Sequence, residues 1–262
     1  MFQIDFEDEN HQKQLVWQNS WGLTTRTIGV MIMTHGDDKG LVLPPRVAPV
    51  QVVIIPIYYT GVSNESLVSA CESVEKELRS AGIRVELDAS ATHNPGWKFA
   101  NWELKGVPLR IELGPRDLQK KEVAIVRRDD AKKIQCSWGE TKDVVSKLLE
   151  TVQSSMYTRA KEQLADRTAT VHNWEQFMEA MNTDKMALCC WCNRTGCEDG
   201  IKDRSAADAE AANKAASEAG KQVKHSAAKS LCIPFNQPEL SGEKCFACDA
   251  AAAVWCLFGR SY

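Results

Sequence analysis

The chain has 262 residues, 44% hydrophobic and 26% charged, with a formal net charge of −3. That length supports one large core or two small ones, and the balance excludes a disordered or fibrous protein. No apolar run approaches the roughly 20 residues of a membrane span, and the acidic start MFQIDFEDEN lacks the basic-then-apolar order of a signal peptide.

Residues 1–49 carry two strand-like stretches, Met1–Phe6 and Thr27–Met33, and then the Gly/Pro-rich GLVLPPRVAP. Pro44 and Pro45 block helix and central strand alike, so this stretch reads as a connector. Ahead of the second stretch stands Ser20-Trp21-Gly22-Leu23-Thr24-Thr25-Arg26. Strand alternation would put Thr24 and Arg26 on one face, where the guanidinium could hold an anionic phosphate. A lone Arg before a strand usually just faces water.

Residues 50–166 alternate strand and helix. VQVVIIPI is almost continuously apolar, as a strand buried on both faces should be. A helix capped at Ser63 or Asn64 follows, with Leu67, Val68, Cys71, Val74, Leu78 and Ala81 as its apolar stripe and Gly82 as its end. IRVEL, VPLRIEL and EVAIVRR read as further strands, and a long amphipathic helix carries Val144 through Leu164. This order predicts a three-layer α/β domain around a mixed sheet.

Between them lies His93-Asn-Pro-Gly-Trp97-Lys98-Phe-Ala-Asn101-Trp102-Glu103-Leu-Lys105-Gly106. Aromatics, amides and cations around a Pro-Gly turn suit single-stranded nucleic acid, although the same residues could form a short helix burying its rings. Gly96–Lys133 holds ten Lys/Arg against six Asp/Glu. Such a local surplus can bind phosphates or simply form a solvated face.

Residues 167–262 change character. Asn173 with Gln176 has the capping-box pattern, opening a short helix with Trp174, Phe177, Met178 and Met181 turned inward. The Ala-rich Ser205–Gly220 has high helix propensity and no large apolar residue, so it reads as an exposed helix or a floppy insertion. In a cytoplasmic chain the ten cysteines read first as thiols or metal ligands. Cys192-x4-Cys197 and Cys245-x2-Cys248 are two chelating loops, the arrangement a tetrahedral four-thiolate zinc site needs. The alternative is a set of small buried hydrophobes with Cys189, Cys190, Cys232 and Cys256 as neighbours.

QNSWGLTTRTIGVMIMTHGDDKGLVLPPRVAPVQVVIIP resembles the third signature motif of class II aminoacyl-tRNA synthetases in its prolyl form, running into an anticodon-binding domain. PGWKFANWELKGVPLRIELGPRDL looks like the tRNA-facing part of that domain, and KSLCIPF with the terminal LFGRSY looks like the prolyl-specific C-terminal extension. The resemblance covers nearly the whole chain outside the Ala-rich stretch. It implies an α/β fold in three parts: the end of a class II antiparallel catalytic sheet (1–49), a mixed-sheet anticodon-binding α/β domain (50–166), and a small α+β zinc-binding C-terminal domain (167–262). The implied activity is proline–tRNA ligation, with ATP and Mg2+ activating proline and tRNA(Pro) receiving it. The implied cofactor besides ATP is Zn2+, the implied assembly of the full-length enzyme a homodimer, and the location cytoplasmic, away from membranes.

By the same resemblance Arg26 contacts ATP phosphate and Thr24 the nucleotide, while Ser20, Trp21 and Gly22 floor the proline pocket. Lys98, Glu103 and Lys105 face tRNA. The zinc cysteines map onto Cys192, Cys197 and Cys245, with Cys248 as the fourth ligand where related chains often read C-x-C. The first two class II motifs are expected to precede Met1, so the chain reads as a fragment that would not activate proline unaided. The competing expectation is a non-catalytic tRNA-binding module made of the anticodon and zinc domains.

Overall fold

The acidic first residues form a small hairpin. β1 (Asp5–Glu7) and β2 (Lys13–Leu15) pair antiparallel, and both are exposed. Met1–Gln3, at the start of the first expected strand, lie outside the described residues, which are 4–59, 64–218 and 226–260 of the computed structural model.

The second expected strand is instead a helix, α1 (Arg26–His35). TIGVMIM is apolar enough to read as a strand, but Ile28, Met31 and Ile32 also recur at helical spacing. The Thr34 hydroxyl donates to the Val30 carbonyl one turn back at 2.8 Å. Arg26 therefore opens a helix and is not paired with Thr24 across a pleat. No residue of α1 is buried.

A strap runs from Gly36 to Pro49. Arg84 donates to the carbonyls of Ala48, Pro45 and Arg46 at 2.8, 2.9 and 3.2 Å, which pins the proline connector through main-chain acceptors alone.

The sheet beyond it is mixed, as expected. Its chain order is β3 (Val52–Pro56), α2 (Asn64–Ser80), β4 (Val85–Leu87), α3 (Pro95–Leu104), β5 (Leu109–Leu113), α4 (Pro115–Lys120), β6 (Glu122–Arg127), β7 (Lys133–Ser137) and α5 (Thr141–Asp166). The strands lie in the order β4-β3-β5-β6-β7; β3 is parallel to β4 and β5, and β6 and β7 run antiparallel. Gly82, at φ +80, ends the α2 turn as a helix-terminating glycine should. One sheet face (Val52, Ile54, Leu109, Ile111) packs against Leu67 and Leu78 of α2 and Leu149 and Val152 of α5. Each such side chain contributes about 1.5–3 kcal/mol on burial. On the other face Val53 and Ile55 of β3 meet Trp102 of α3. Helices on both faces make the three expected layers.

The chain divides between Tyr157 and Thr158, within α5, into two compact units. The second contains β8 (Thr168–Val171), α6 (Trp174–Asn182), β9 (Met186–Trp191), α7 (Thr195–Glu218), β10 (Ala228–Cys232) and β11 (Val254–Arg260). Its strand order is β10-β11-β9-β8, with only β8 and β9 parallel. Asn173 caps α6 by accepting from the Gln176 N–H at 2.9 Å, but the Gln176 side chain reaches the His172 N–H instead of closing the box on Asn173. Phe177, Phe246 and Phe258 form the heart of the core, with ring centroids 4.9, 5.4 and 6.0 Å apart. The Ala-rich stretch is helical to Glu218, and its last two residues lie outside the described ones. Ser205 is buried there and accepts from the Ala228 N–H at 2.9 Å, tying α7 to β10.

Candidate nucleic-acid interface and metal centre

α3 begins at Pro95 because Asn94 caps it, its side chain accepting from the Trp97 N–H at 2.9 Å. Of Lys98 within it and Lys105 at its C-cap, only Lys105 reaches solvent. Lys98 is turned inward, with its Nζ 3.0 Å from Asp88 Oδ1 and 2.7 Å from the carbonyls of both Asp88 and Ser90. Its three N–H donors are thus matched, and Trp102 Nε1 donates to the second Asp88 oxygen at 2.9 Å. Burial raises the Asp88 pKa, but the hydrogen bonds from Trp102, Lys98 and Ser90 outweigh it and hold the carboxyl below its usual value. Lys98, expected to face tRNA, therefore braces the loop after β4 instead. Lys105 is exposed, its ammonium 4.3 Å from the Trp102 ring centroid.

Beside α3 the second sheet face is polar. β5 presents Arg110 and Glu112 there, and β7 presents Lys133 opposite Val126 in register. Arg110 binds Glu103 at 3.1 Å and Glu112 at 3.0 Å, and its guanidinium lies 4.1 Å from the Phe99 ring centroid. Lys133 closes the network on Glu112 at 2.7 Å. A partly open carboxylate, an aromatic edge and a guanidinium held in one place can receive an unstacked base: hydrogen bonds at its edge, stacking on its face. Glu103 was expected here. Phe99 and Arg110 were not singled out; strand alternation, which puts Arg110 on the face opposite Leu109 and Ile111, could have found Arg110 but not Phe99. The basic surplus of this region is largely neutralised internally, with Arg127 on Asp129 and Arg128 on Asp37. Arg116, Lys120 and Lys121 are exposed and make no ion pair among the described residues.

Ser20, Trp21, Gly22 and Thr24 lie in an exposed, irregular segment leading into α1. Arg26, in the first turn of α1, is likewise exposed and makes no ion pair among the described residues.

In the second unit, Cys192 follows β9 and Cys197 lies in the first turn of α7. Asn193 takes φ +55 and so turns the chain between them. Cys245 and Cys248 sit on a loop closed by the Lys244–Ala251 bridge and by the Cys245 N–H donating to the Ala250 carbonyl at 2.7 Å. Cys197 Sγ is 3.8 Å from Cys245 Sγ, Cys248 Sγ is 3.6 Å from Cys192 Sγ, and all four sulfurs lie within 4.8 Å of one another. Tetrahedral zinc with Zn–S bonds of about 2.3 Å needs sulfurs about 3.8 Å apart, so the donor set fits the ion. Burial raises the Cys192 and Cys197 thiol pKa values, while the Ala250 N–H lowers that of Cys248. The neighbouring cysteines are not part of the four-sulfur group. Burial pushes Cys256 up to about 11, and Cys190 donates its S–H to the Lys244 carbonyl at 3.0 Å. They are packed thiols outside the cluster.

Residues 51–148 match the family described as "Anticodon binding domain", and residues 174–262 match "Prolyl-tRNA synthetase, C-terminal". The whole chain is 45% identical to the cytoplasmic proline–tRNA ligase of Arabidopsis thaliana, of which it covers 47%. It is 43% identical to the bifunctional glutamate/proline–tRNA ligase of Drosophila melanogaster, covering 15% of it, and 39% identical to the proline–tRNA ligase of Encephalitozoon cuniculi, covering 52%. The chain belongs to the prolyl-tRNA synthetase family. It spans about half or less of the length of these relatives. Within the prolyl-tRNA synthetase framework, the polar face beside α3 falls in the anticodon-binding match and the four cysteines in the C-terminal one. No helix among the described residues is long and apolar enough to cross a membrane.

Proposed function

We propose that this chain serves a cytoplasmic proline–tRNA ligase by holding the anticodon arm of tRNA(Pro) on the open sheet face beside α3. The observation that carries the reading is the Phe99–Glu103–Arg110 cluster within the anticodon-binding match. Glu103 and Arg110 read base edges, the Arg110 guanidinium plane held over Phe99 offers a stacking surface, and exposed cations, Lys105 among them, meet phosphates. Cys192, Cys197, Cys245 and Cys248 hold a structural zinc ion, with no ligand position left for a water. The ion joins the loop after β9 to the loop before β11.

The catalytic contribution is Arg26. At the opening of α1 its guanidinium and the positive end of the helix favour the same anionic ligand, the phosphates of Mg2+-bound ATP. Ser20, Trp21, Gly22 and Thr24 would line the proline and nucleotide sites. α1 exposes Ile28, Val30, Ile32 and Met33, a surface that a class II catalytic sheet would cover in a homodimeric enzyme carrying one.

The deciding experiment is binding of this chain to a proline-tRNA transcript and to the same transcript with its anticodon changed. Binding that is salt-dependent and weaker for the altered anticodon supports the reading; equal affinity for both overturns it.

A further inference from the structure

The strap between α1 and the sheet is fastened to the last turn of α3. Arg128, its side chain 4% exposed, grips Asp37 with two nitrogens at 2.7 and 2.6 Å, and its Nε donates to the Glu103 carbonyl at 3.0 Å. The Leu41 N–H donates to the Leu104 carbonyl at 3.0 Å and the Leu43 N–H to the Gly106 carbonyl at 3.1 Å. Two glycines permit the approach. A Cβ on Gly40 (φ +130) would stand 2.7 Å from Leu104 Cα, and one on Gly106 (φ +74) would stand 2.7 Å from Leu41 Cβ. The fork also keeps the buried guanidinium compensated.

The strap begins where α1 ends, at Gly36. Its fastening holds the carbonyl of Glu103, whose side chain stands in the proposed RNA face. Opening the strap means releasing the Leu104 and Gly106 carbonyls, which belong to the turn that RNA would restrain.

We propose that Arg128 is a positioning residue that couples the RNA-facing end of α3 to the strap carrying α1. RNA held by Glu103 and Arg110 then suppresses local opening of Asp37–Leu43, and α1 is held in one place. Local opening is the quantity that ligand binding changes in such a linkage. The inference rests on the RNA reading given above.

The test is backbone amide exchange in this chain, with and without the proline-tRNA transcript, for the natural sequence, Asp37→Asn and Gly40→Ala. Asp37→Asn breaks the fork, and Gly40→Ala unseats the strap without touching a charge. In the natural chain RNA should slow exchange of the Leu41 and Leu43 amides by about fivefold or more, the low end of ordinary coupling. In both variants the slowing should largely vanish while RNA affinity is kept. A merely structural fork would speed exchange equally with and without RNA, leaving the RNA-induced ratio unchanged, and that result overturns the proposal. Binding without slowing in the natural chain overturns it too, and leaves the RNA reading standing. Failure to bind any transcript removes the RNA reading first and the coupling with it.

Discussion

Lys98 and Asp88 form a buried ion pair, Nζ to Oδ1 at 3.0 Å, with the lysine side chain 2% exposed and the aspartate 14%. The pair sits under α3 and is completed by Trp102 Nε1 and two backbone carbonyls. Removing one member leaves the other charge buried without its partner, a loss of about 3–5 kcal/mol. Lys98→Ala should therefore lower unfolding stability by about that amount in denaturant titration. Lys105→Ala should leave stability within about 0.5 kcal/mol. It should flatten the salt dependence of tRNA binding by about one contact. A stable Lys98→Ala chain with a reduced salt slope would reverse these two roles.

The metal prediction is that the purified chain carries one zinc ion per molecule, measured by elemental analysis. Cys192→Ser should weaken zinc affinity by more than about 100-fold, since even residues that only support metal ligands cost 10–100-fold. Chelation should loosen the loops around Cys197 and Cys248 and lower the thermal midpoint. It should not erase strand content, because Phe177, Phe246 and Phe258 supply a core independent of the ion. A metal-free chain with an unchanged midpoint would remove the structural role.

Most of the sheet unit was readable from periodicity, and the exceptions have physical causes. The β3 run is apolar on both faces and Gly82 marks the end of α2, so both followed directly. β7, KIQCS, alternates polar and apolar residues, but as a short, largely exposed edge strand with only Ile134 and Cys136 on its apolar positions it was not read as a strand. α1 was misread because a dense apolar run satisfies strand and helix periods together. Lys98 was read as a tRNA contact because a lysine between aromatics looks the same in sequence whether its ammonium faces RNA or a buried carboxylate 10 residues away. The cysteine cluster was legible from spacing. The Phe99–Arg110 contact was not, since it depends on α3 crossing beside β5.

Asp37 gives a pH prediction. The hydrogen bonds from Arg128 lead its pKa down to about 2 in the folded chain, against about 3.9 for a free aspartate. A carboxyl whose folded pKa is depressed contributes stability that is present above about pH 4 and lost as pH falls toward 2. With the side chain 46% exposed, solvent screening keeps the effect modest. Exchange of the Leu41 and Leu43 amides, corrected for intrinsic pH dependence, should speed up across that window and show no such step in Asp37→Asn.

Arg26 can be tested in a form of the protein that includes a complete class II catalytic domain. Arg26→Ala should reduce proline-dependent ATP–pyrophosphate exchange by about 2–4 kcal/mol of transition-state stabilisation, the scale of one preorganised donor. Arg26→Lys should recover little, because an ammonium cannot reproduce the planar fork. tRNA affinity should stay unchanged. Full exchange activity in the alanine variant would remove Arg26 from the ATP site.

Glu103 offers the sharpest test of base reading, because two roles predict opposite signs. As a bystander on a phosphate-binding face its charge only repels RNA, so Glu103→Gln should tighten binding to every transcript alike. As an acceptor for a base edge it should do the reverse for the cognate anticodon. Glu103→Gln would then lose about 1–3 kcal/mol of discrimination between cognate and altered anticodons. The salt slope should hardly change, since no phosphate contact is lost. Arg110 complicates the variant, because its guanidinium is 3.1 Å from Glu103 and 3.0 Å from Glu112. With Glu112 and Lys133 still in place, the Gln variant keeps Arg110 paired, and the fold around Phe99 should survive. Glu103→Ala would remove the acceptor entirely and should lose at least as much discrimination. Discrimination unchanged in both variants, with uniformly tighter binding, would place the base contact away from α3.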